Sequence, residues 1–302
     1  MKKVVFLIMI LLVSFQKLAL CKAKSGTTNA PGHPFQKQIS GKISNRETSS
    51  PVPYATVSIM GANIAINADA EGFFLFSVPV RLPDTLLISS VGFDDEKVAI
   101  DSYQHNILIE MKPHSIMLDS LRLIHYRGRE VLNNFFSCSS HFYTTSGFVT
   151  QVAQLFSAPK VLCRLKSLEF CKEAGYDRFR FRLYTVDSSG RLKPGLELSS
   201  EVIEVRSGNR RVKVDLSDKN IVIPGKDFFV AIEWLFLPEN AHKTKYRGRD
   251  GRKVRALEYG PYLGIRSTTH ENSAYTCNKS FQGRWFPAGM MRLLLSADIE
   301  IP

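Results

Sequence analysis

Seven cationic side chains fall within the thirteen residues from Lys243 to Arg255: Lys243, Lys245, Arg247, Arg249, Arg252, Lys253 and Arg255, against the single acid Asp250. Such a density of charge does one kind of chemistry well, the non-covalent holding of an anion. Tyr246 inside the run, with Tyr259 and Tyr262 just beyond it, adds rings able to stack on sugars or take a cation over their faces. The ligand classes implied are an acidic glycan, an anionic lipid or an acidic protein surface. Gly248 and Gly251 loosen the backbone, so a solvated hairpin with no ligand is the alternative.

A second group of cations is written differently. Arg178, Arg180 and Arg182 alternate with Phe179, Phe181 and Leu183, which is the period of a strand with one buried face. The arginines then share the other face, open to solvent or a ligand. Among the carboxylates, Glu233 stands out because it lies inside the apolar run Phe228 to Phe236. A buried acid there needs a partner; otherwise it sits on the solvent side or pairs with an arginine of a neighbouring strand.

Catalytic signatures are missing. A zinc peptidase needs H-x-x-E and a distant His, but none of His33, His105, His114, His125, His141, His242 and His270 is followed by Glu three residues on. G-x-S-x-G, H-E-x-x-H, Walker and G-x-G-x-x-G patterns do not occur in a usable context. Glycoside hydrolysis asks only for two carboxylates, and Glu169, Glu201, Glu204, Glu233 and Glu258 supply candidates. The expectation is no catalytic centre, no metal and no cofactor, with an accessory glycan-active enzyme using Glu233 as the competing reading.

Lys2 and Lys3 precede an almost unbroken apolar run from Val4 to Phe15, the layout of a secretory signal rather than a membrane span. Cleavage after Ala23 is expected, making 1–23 a signal peptide. Leu18-Ala19-Leu20-Cys21 is similar to a lipobox except that Leu20 stands where a small residue belongs, so lipid anchoring at Cys21 is the rival. The expected location is the periplasm or the outer-membrane surface, where nucleic acid is not a natural partner. The formal charge of +12 is uneven: residues 36–112 carry −3 and residues 113–302 carry +10. Cys138, Cys163, Cys171 and Cys277 follow the signal. Oxidising conditions permit two bridges among them, although Cys163 and Cys171 lie too far apart on one extended segment to pair with each other.

Residues 24–35 read as a flexible leader. Beyond it come seven short apolar and β-branched runs, Ile39 to Ile43, Ala55 to Met60, Asn63 to Asn67, Phe73 to Val78, Thr85 to Ser90, Glu96 to Ile100 and Asn106 to Met111, parted by Pro, Asp and Gly turns. In Asp69-Ala-Glu-Gly-Phe73 the glycine suits a positive φ and at least one of Phe73 and Phe74 must enter a core. With Ile39-Ser-Gly-Lys-Ile43, Pro51-Val-Pro-Tyr-Ala-Thr-Val57 and Ser89-Ser-Val-Gly-Phe93, residues 36–112 resemble the carboxypeptidase regulatory-like, transthyretin-type domain of Gram-negative envelope proteins. That resemblance implies a seven-stranded sandwich that maintains a fold and carries no peptidase activity. In related proteins the module also precedes outer-membrane uptake barrels, so a docking component of an uptake system is a further reading.

Residues 113–158 read as a connector: a strand over Ser115 to Ile124, a short helix over Glu130 to Phe136, and a helical turn over Gly147 to Phe156, where Phe148, Val152 and Leu155 fall at helical spacing. Residues 159–302 read as a second antiparallel sandwich of jelly-roll type, from Arg178 to Tyr184 through Val202 to Val205, Arg211 to Leu216, Asn220 to Ile223, Phe228 to Phe236, Gly260 to Arg266 and Met291 to Ile299. The whole is an all-β chain.

Overall fold

The computed structural model describes residues 38–60, 62, 64–77, 82–114, 124–147, 149–189, 192–199, 202–247, 251–269, 274–278 and 284–302. The signal (1–23), the leader (24–35), the strand expected from Ser115, and Phe148 lie outside the described residues or almost wholly so.

The first sandwich holds β1 (Ile39–Asn45), β2 (Thr56–Ile59), β3 (Ile64–Asn67), β4 (Phe73–Phe76), β5 (Asp84–Ser89), β6 (Glu96–Ile100) and β7 (Ile107–Met111). One sheet runs β4-β1-β7 and the other β3-β2-β5-β6. All seven strands stand where the apolar runs put them. Pairing is antiparallel except for β1 with β7. Alternate residues of β1 and β4 point inward, so Ile39, Ile43, Phe74 and Phe76 enter the core while Phe73 is left half exposed. Each such burial is worth about 1.5–3 kcal/mol. Two glycines have steric reasons. Gly41 lies so close to the β7 backbone that a Cβ would stand 2.3 Å from the Ile107 carbonyl oxygen. Gly72 turns the β3–β4 connection at φ +80°, while the Asp69 carboxylate accepts the Glu71 and Phe73 amides at 3.0 and 2.8 Å.

The second part contains β8 (Gly128–Leu132), β9 (Phe142–Thr145), β10 (Gln151–Ser157), β11 (Cys163–Cys171), β12 (Asp177–Val186), β13 (Pro194–Glu197), β14 (Ile203–Ser207), β15 (Arg211–Asp215) and β16 (Val222–Ile223). It continues through β17 (Asp227–Trp234), β18 (Ala241–Arg247), β19 (Lys253–Ser267), β20 (Ala274–Asn278), β21 (Arg284–Pro287), β22 (Met291–Leu293) and β23 (Leu295–Ile301). A seven-stranded sheet orders β13-β12-β17-β10-β20-β21, with β14 also on β12. Facing it is β15-β11-β23-β8, with β16 on β11, and a third sheet joins β18-β19-β22 with β9 on β19. Phe170, Phe179 and Phe181 pack edge to face with centroids 5.3 to 5.9 Å apart, and the buried Trp234 donates its ring N–H to the Pro261 carbonyl at 2.9 Å.

Two expectations are corrected here. The segment read as a short helix from Glu130 to Phe136 enters β8, whose amides and carbonyls pair with β23 from Ala297↔Leu132 to Ile301↔Gly128. A helix of one or two turns has nothing comparable to offer its backbone. The helical turn expected over Gly147 to Phe156 is β10, hydrogen-bonded to β17 on one side and β20 on the other. Both faces of this central strand are covered, which erases the period-2 pattern and leaves an accidental helical spacing. Thus three strands from within residues 113–158 take places in the sheets of the second sandwich.

Candidate functional site

The run of cations is an ordered two-stranded ribbon, β18 and β19, in strict antiparallel register: Lys243↔Leu257, Lys245↔Arg255 and Arg247↔Lys253. Side chains of a strand alternate, so these six residues share one face, and all six are exposed. The opposite face, with His242, Thr244, Tyr246, Val254, Ala256 and Glu258, is half-buried or buried. Five cations therefore form two rows on one surface, about 7 Å apart along each strand and about 5 Å apart across. None of Lys243, Lys245, Lys253 and Arg255 has an ion pair with an acid among the described residues. Like charges directly opposite across a ribbon are destabilising, so this face costs the isolated chain energy that a bound anion would return.

Arg252 is exposed beside the turn and Arg247 donates to the Gly251 carbonyl at 3.2 Å. Gly248, Arg249 and Asp250 lie outside the described residues. Tyr246 stands on the face away from the cations, and Tyr259 packs its ring on Phe236 at 5.0 Å. Tyr262 donates to Glu258 at 2.9 Å. The tyrosines thus anchor the ribbon and do not flank its charge.

The base of the ribbon is rigid. Asn240, fully buried, accepts the Arg178 amide at 2.9 Å and donates to the Leu235 carbonyl at 2.8 Å. The Thr144 hydroxyl on β9 donates to the Tyr259 carbonyl at 2.6 Å. Beneath lies a pair that the sequence did not reveal: Lys172, with no exposed surface, donates to Asp177 at 2.6 Å, and the other Asp177 oxygen faces His242 at 3.7 Å. The two ions lie five residues apart across a turn, and no pattern distinguishes that spacing from ordinary surface charge.

The arginine row of β12 is not open to solvent or ligand as expected. Arg180 is buried; it donates to the Pro53 carbonyl at 2.9 Å and, with Arg178, flanks the Tyr54 ring, guanidinium carbons 5.3 and 5.1 Å from its centroid. Arg178 also donates to the Tyr54 hydroxyl, and Asn67 accepts the Phe236 amide at 2.6 Å. The first sandwich is thus docked on the row. Burial lowers the pKa of Arg180, with the Glu233 carboxylate opposing.

Arg182 turns the other way, forking onto Glu197 at 2.7 and 2.6 Å and reaching Glu233 at 3.3 Å. Gln151 donates to the same Glu233 oxygen at 3.3 Å and accepts from Tyr184 at 2.7 Å. Burial opposes the charge of Arg182, but Tyr184, Glu197 and Glu233 outweigh it and its pKa is raised. Glu233 is the counter-ion of a neighbouring-strand arginine. Tyr184 and Trp285 touch edge to face at 5.5 Å although four strand intervals, about 19 Å on a flat sheet, separate β12 from β21. The sheet therefore curls over this network and closes it.

These features define an all-β chain of two docked sandwiches, one of which displays a ribbon with five exposed cations on one face. Residues 39–122 match the family model of the CarboxypepD_reg-like domain, so the first sandwich is a carboxypeptidase regulatory-like domain. No curated protein matches the chain. Among solved structures it is similar to the clostridial cysteine protease Cwp84 after propeptide cleavage, at 9% identity and TM-score 0.34, over 58% of this chain and 40% of that one. The cysteine protease and lectin-like domains of Cwp84, a surface layer associated protein of Clostridium difficile, match at 8% identity and TM-score 0.35, over 88% and 59% of the two chains. A proposed carbohydrate binding protein from Bacteroides uniformis matches at 14% identity and TM-score 0.22, over 75% and 96%. At such values these likenesses carry nothing about the site or its ligand.

Proposed function

We propose that this chain is a non-catalytic binding protein of a cell envelope, exported to the periplasm or outer surface, whose ribbon holds an anionic glycan, lipid or protein partner. The observation that carries the reading is the row of Lys243, Lys245, Arg247, Lys253 and Arg255 on one exposed face without acids among them. Export is supported by the charged and apolar N-terminus and by the Cys138–Cys171 disulfide, since such bridges persist in oxidising compartments. The non-catalytic part is supported by the fate of Glu233, the carboxylate best placed by sequence for glycan chemistry, which is buried against Arg182.

The test is binding of the chain from residue 24 onward to a glycan and envelope-lipid array at about 0.1 M and 1 M salt, where the screening length falls from roughly 10 to 3 Å. Selective binding at the lower salt, weakened at the higher and lost when the five cations are changed to glutamine, is expected. Binding that survives neutralisation, or none at either salt, would remove the ribbon from the function.

A further inference from the structure

A cavity of about 330 Å³ opens at the edge of the second sandwich, walled by the end of β8 with Asn133, by β10, by Thr268 just past β19, and by Arg292 of β22. Its size lies at the lower end of the range for small-molecule sites. We infer that it binds a sugar-sized molecule bearing a carboxylate or phosphate, taken by Arg292 in the wall together with its exposed cross-strand neighbour Arg266 at the rim. This site is separate from the ribbon and does not rest on the ribbon's role.

The walls are built. Gln154, on the core side of β10 and buried, accepts the Leu293 amide at 2.9 Å and donates to the Leu155 carbonyl at 3.3 Å. Asn133, held at φ 54°, donates to the same carbonyl at 3.4 Å and accepts a guanidinium N–H of Arg292. That contact fixes the guanidinium and leaves its remaining donors with no protein acceptor among the described residues. Arg266 stands directly opposite Arg292 across β19 and β22, and neither arginine has an ion pair with a described acid. Burial, and then the charge of Arg266, lower the pKa of Arg292, as befits a partly desolvated cation with no counter-ion among the described residues.

Two unpaired guanidiniums side by side are unfavourable, and a bridging oxyanion answers both with charge-assisted bonds. The other wall has the opposite chemistry. Glu130 pairs with the buried Ile299 and so lies on the core-facing side of β8, yet it is exposed at the mouth. There it accepts from hydroxyls rather than from Arg292. An acid group at one end and hydroxyls at the other describe an acidic monosaccharide or a sugar phosphate.

The experiment is calorimetric titration of the chain from residue 24 with sodium glucuronate, glucose 6-phosphate and glucose. At least one acid is expected to bind and glucose is not; which acid binds decides between carboxylate and phosphate. Arg292→Met and the surface variant Arg266→Met are each expected to weaken binding roughly tenfold or more, the loss of one charge-assisted hydrogen bond, with circular dichroism confirming the fold. If Arg292→Met fails to fold, Arg266→Met carries the test. Lys245→Gln on the ribbon is expected to leave this affinity unchanged. Failure of both acids to bind, equal binding of glucose, or full affinity in the folded arginine variants would overturn the assignment.

Discussion

Tyr54 is the residue on which docking of the two sandwiches turns, and removing its ring is the sharpest test of that contact. Its ring lies between two guanidiniums, one of them almost fully buried and the other with a 13% exposed side chain. A cation over a ring is worth about 1 kcal/mol when partly desolvated. The hydroxyl bond from Arg178 adds about 1 kcal/mol net, because Glu204 and Glu239 remain near that guanidinium at 3.6 and 3.8 Å after the hydroxyl has gone. Tyr54→Leu is therefore expected to cost about 3 kcal/mol and Tyr54→Phe about 1 kcal/mol. Trp234 and Trp285, both in the second sandwich, are the chain's two tryptophans, so urea unfolding followed by their fluorescence reports on the domain that the substitution does not touch. Docking that stabilises both halves moves the tryptophan midpoint. A cycle with Arg178→Met is expected to show coupling of about 2 kcal/mol. An unmoved tryptophan midpoint with coupling under about 0.5 kcal/mol would refute the reasoning.

The Cys138–Cys171 bridge spans a sequence separation of 33, so replacing both cysteines by alanine is expected to cost about 4 kcal/mol by loop-closure entropy. Alkylation of the unreduced chain from residue 24 is expected to label Cys163 and Cys277, both buried, only after denaturation; four labelled thiols would contradict the bridge. Six of the ten tyrosines, Tyr126, Tyr143, Tyr184, Tyr259, Tyr262 and Tyr275, have pKa values raised chiefly by burial, Tyr143 to about 12. Folded-state values above the unfolded one mean that stability is intact below pH 10 and falls as pH rises toward 12. Phenolate absorbance of the folded chain at pH 10 is accordingly expected to be well below that of the chain in denaturant, and equal absorbances would show that these rings are open to water.

The first sandwich was legible because its seven strands are short, half-buried and punctuated, so period and turn chemistry agree at every step; Gly72 adopts the positive φ that its turn demands. The second was legible only where one face of a strand is apolar and the other charged, as in Phe179-Arg-Phe-Arg-Leu183. β10 was missed because both its faces are covered, and β8 because an edge strand of five residues with one buried side chain carries almost no pattern. The small hairpin β20–β21 has as little. Its importance lies in the curl that brings Trp285 over Tyr184, a contact between strands that no local signal relates.

The same limit explains why the arginine row of β12 was expected on an open face. Alternation states that Arg178, Arg180 and Arg182 share a face but is silent on what meets it, because a face covered by another domain and a face in water are written with the same letters. What distinguishes the two in the structure is the supply of acceptors. Arg180 finds the Pro53 and Tyr54 carbonyls, Arg182 finds Glu197 and Glu233, and each charge is thereby made tolerable in the interior. The ribbon cations have no ion pair with an acid among the described residues; apart from the Arg247 bond to the Gly251 carbonyl they face outward, Lys245 opposite Arg255 and Arg247 opposite Lys253. Charges that a fold satisfies internally hold the fold together; charges that it gathers without a carboxylate among the described residues are the ones we assign to an outside partner, here the ribbon face and the Arg266–Arg292 pair.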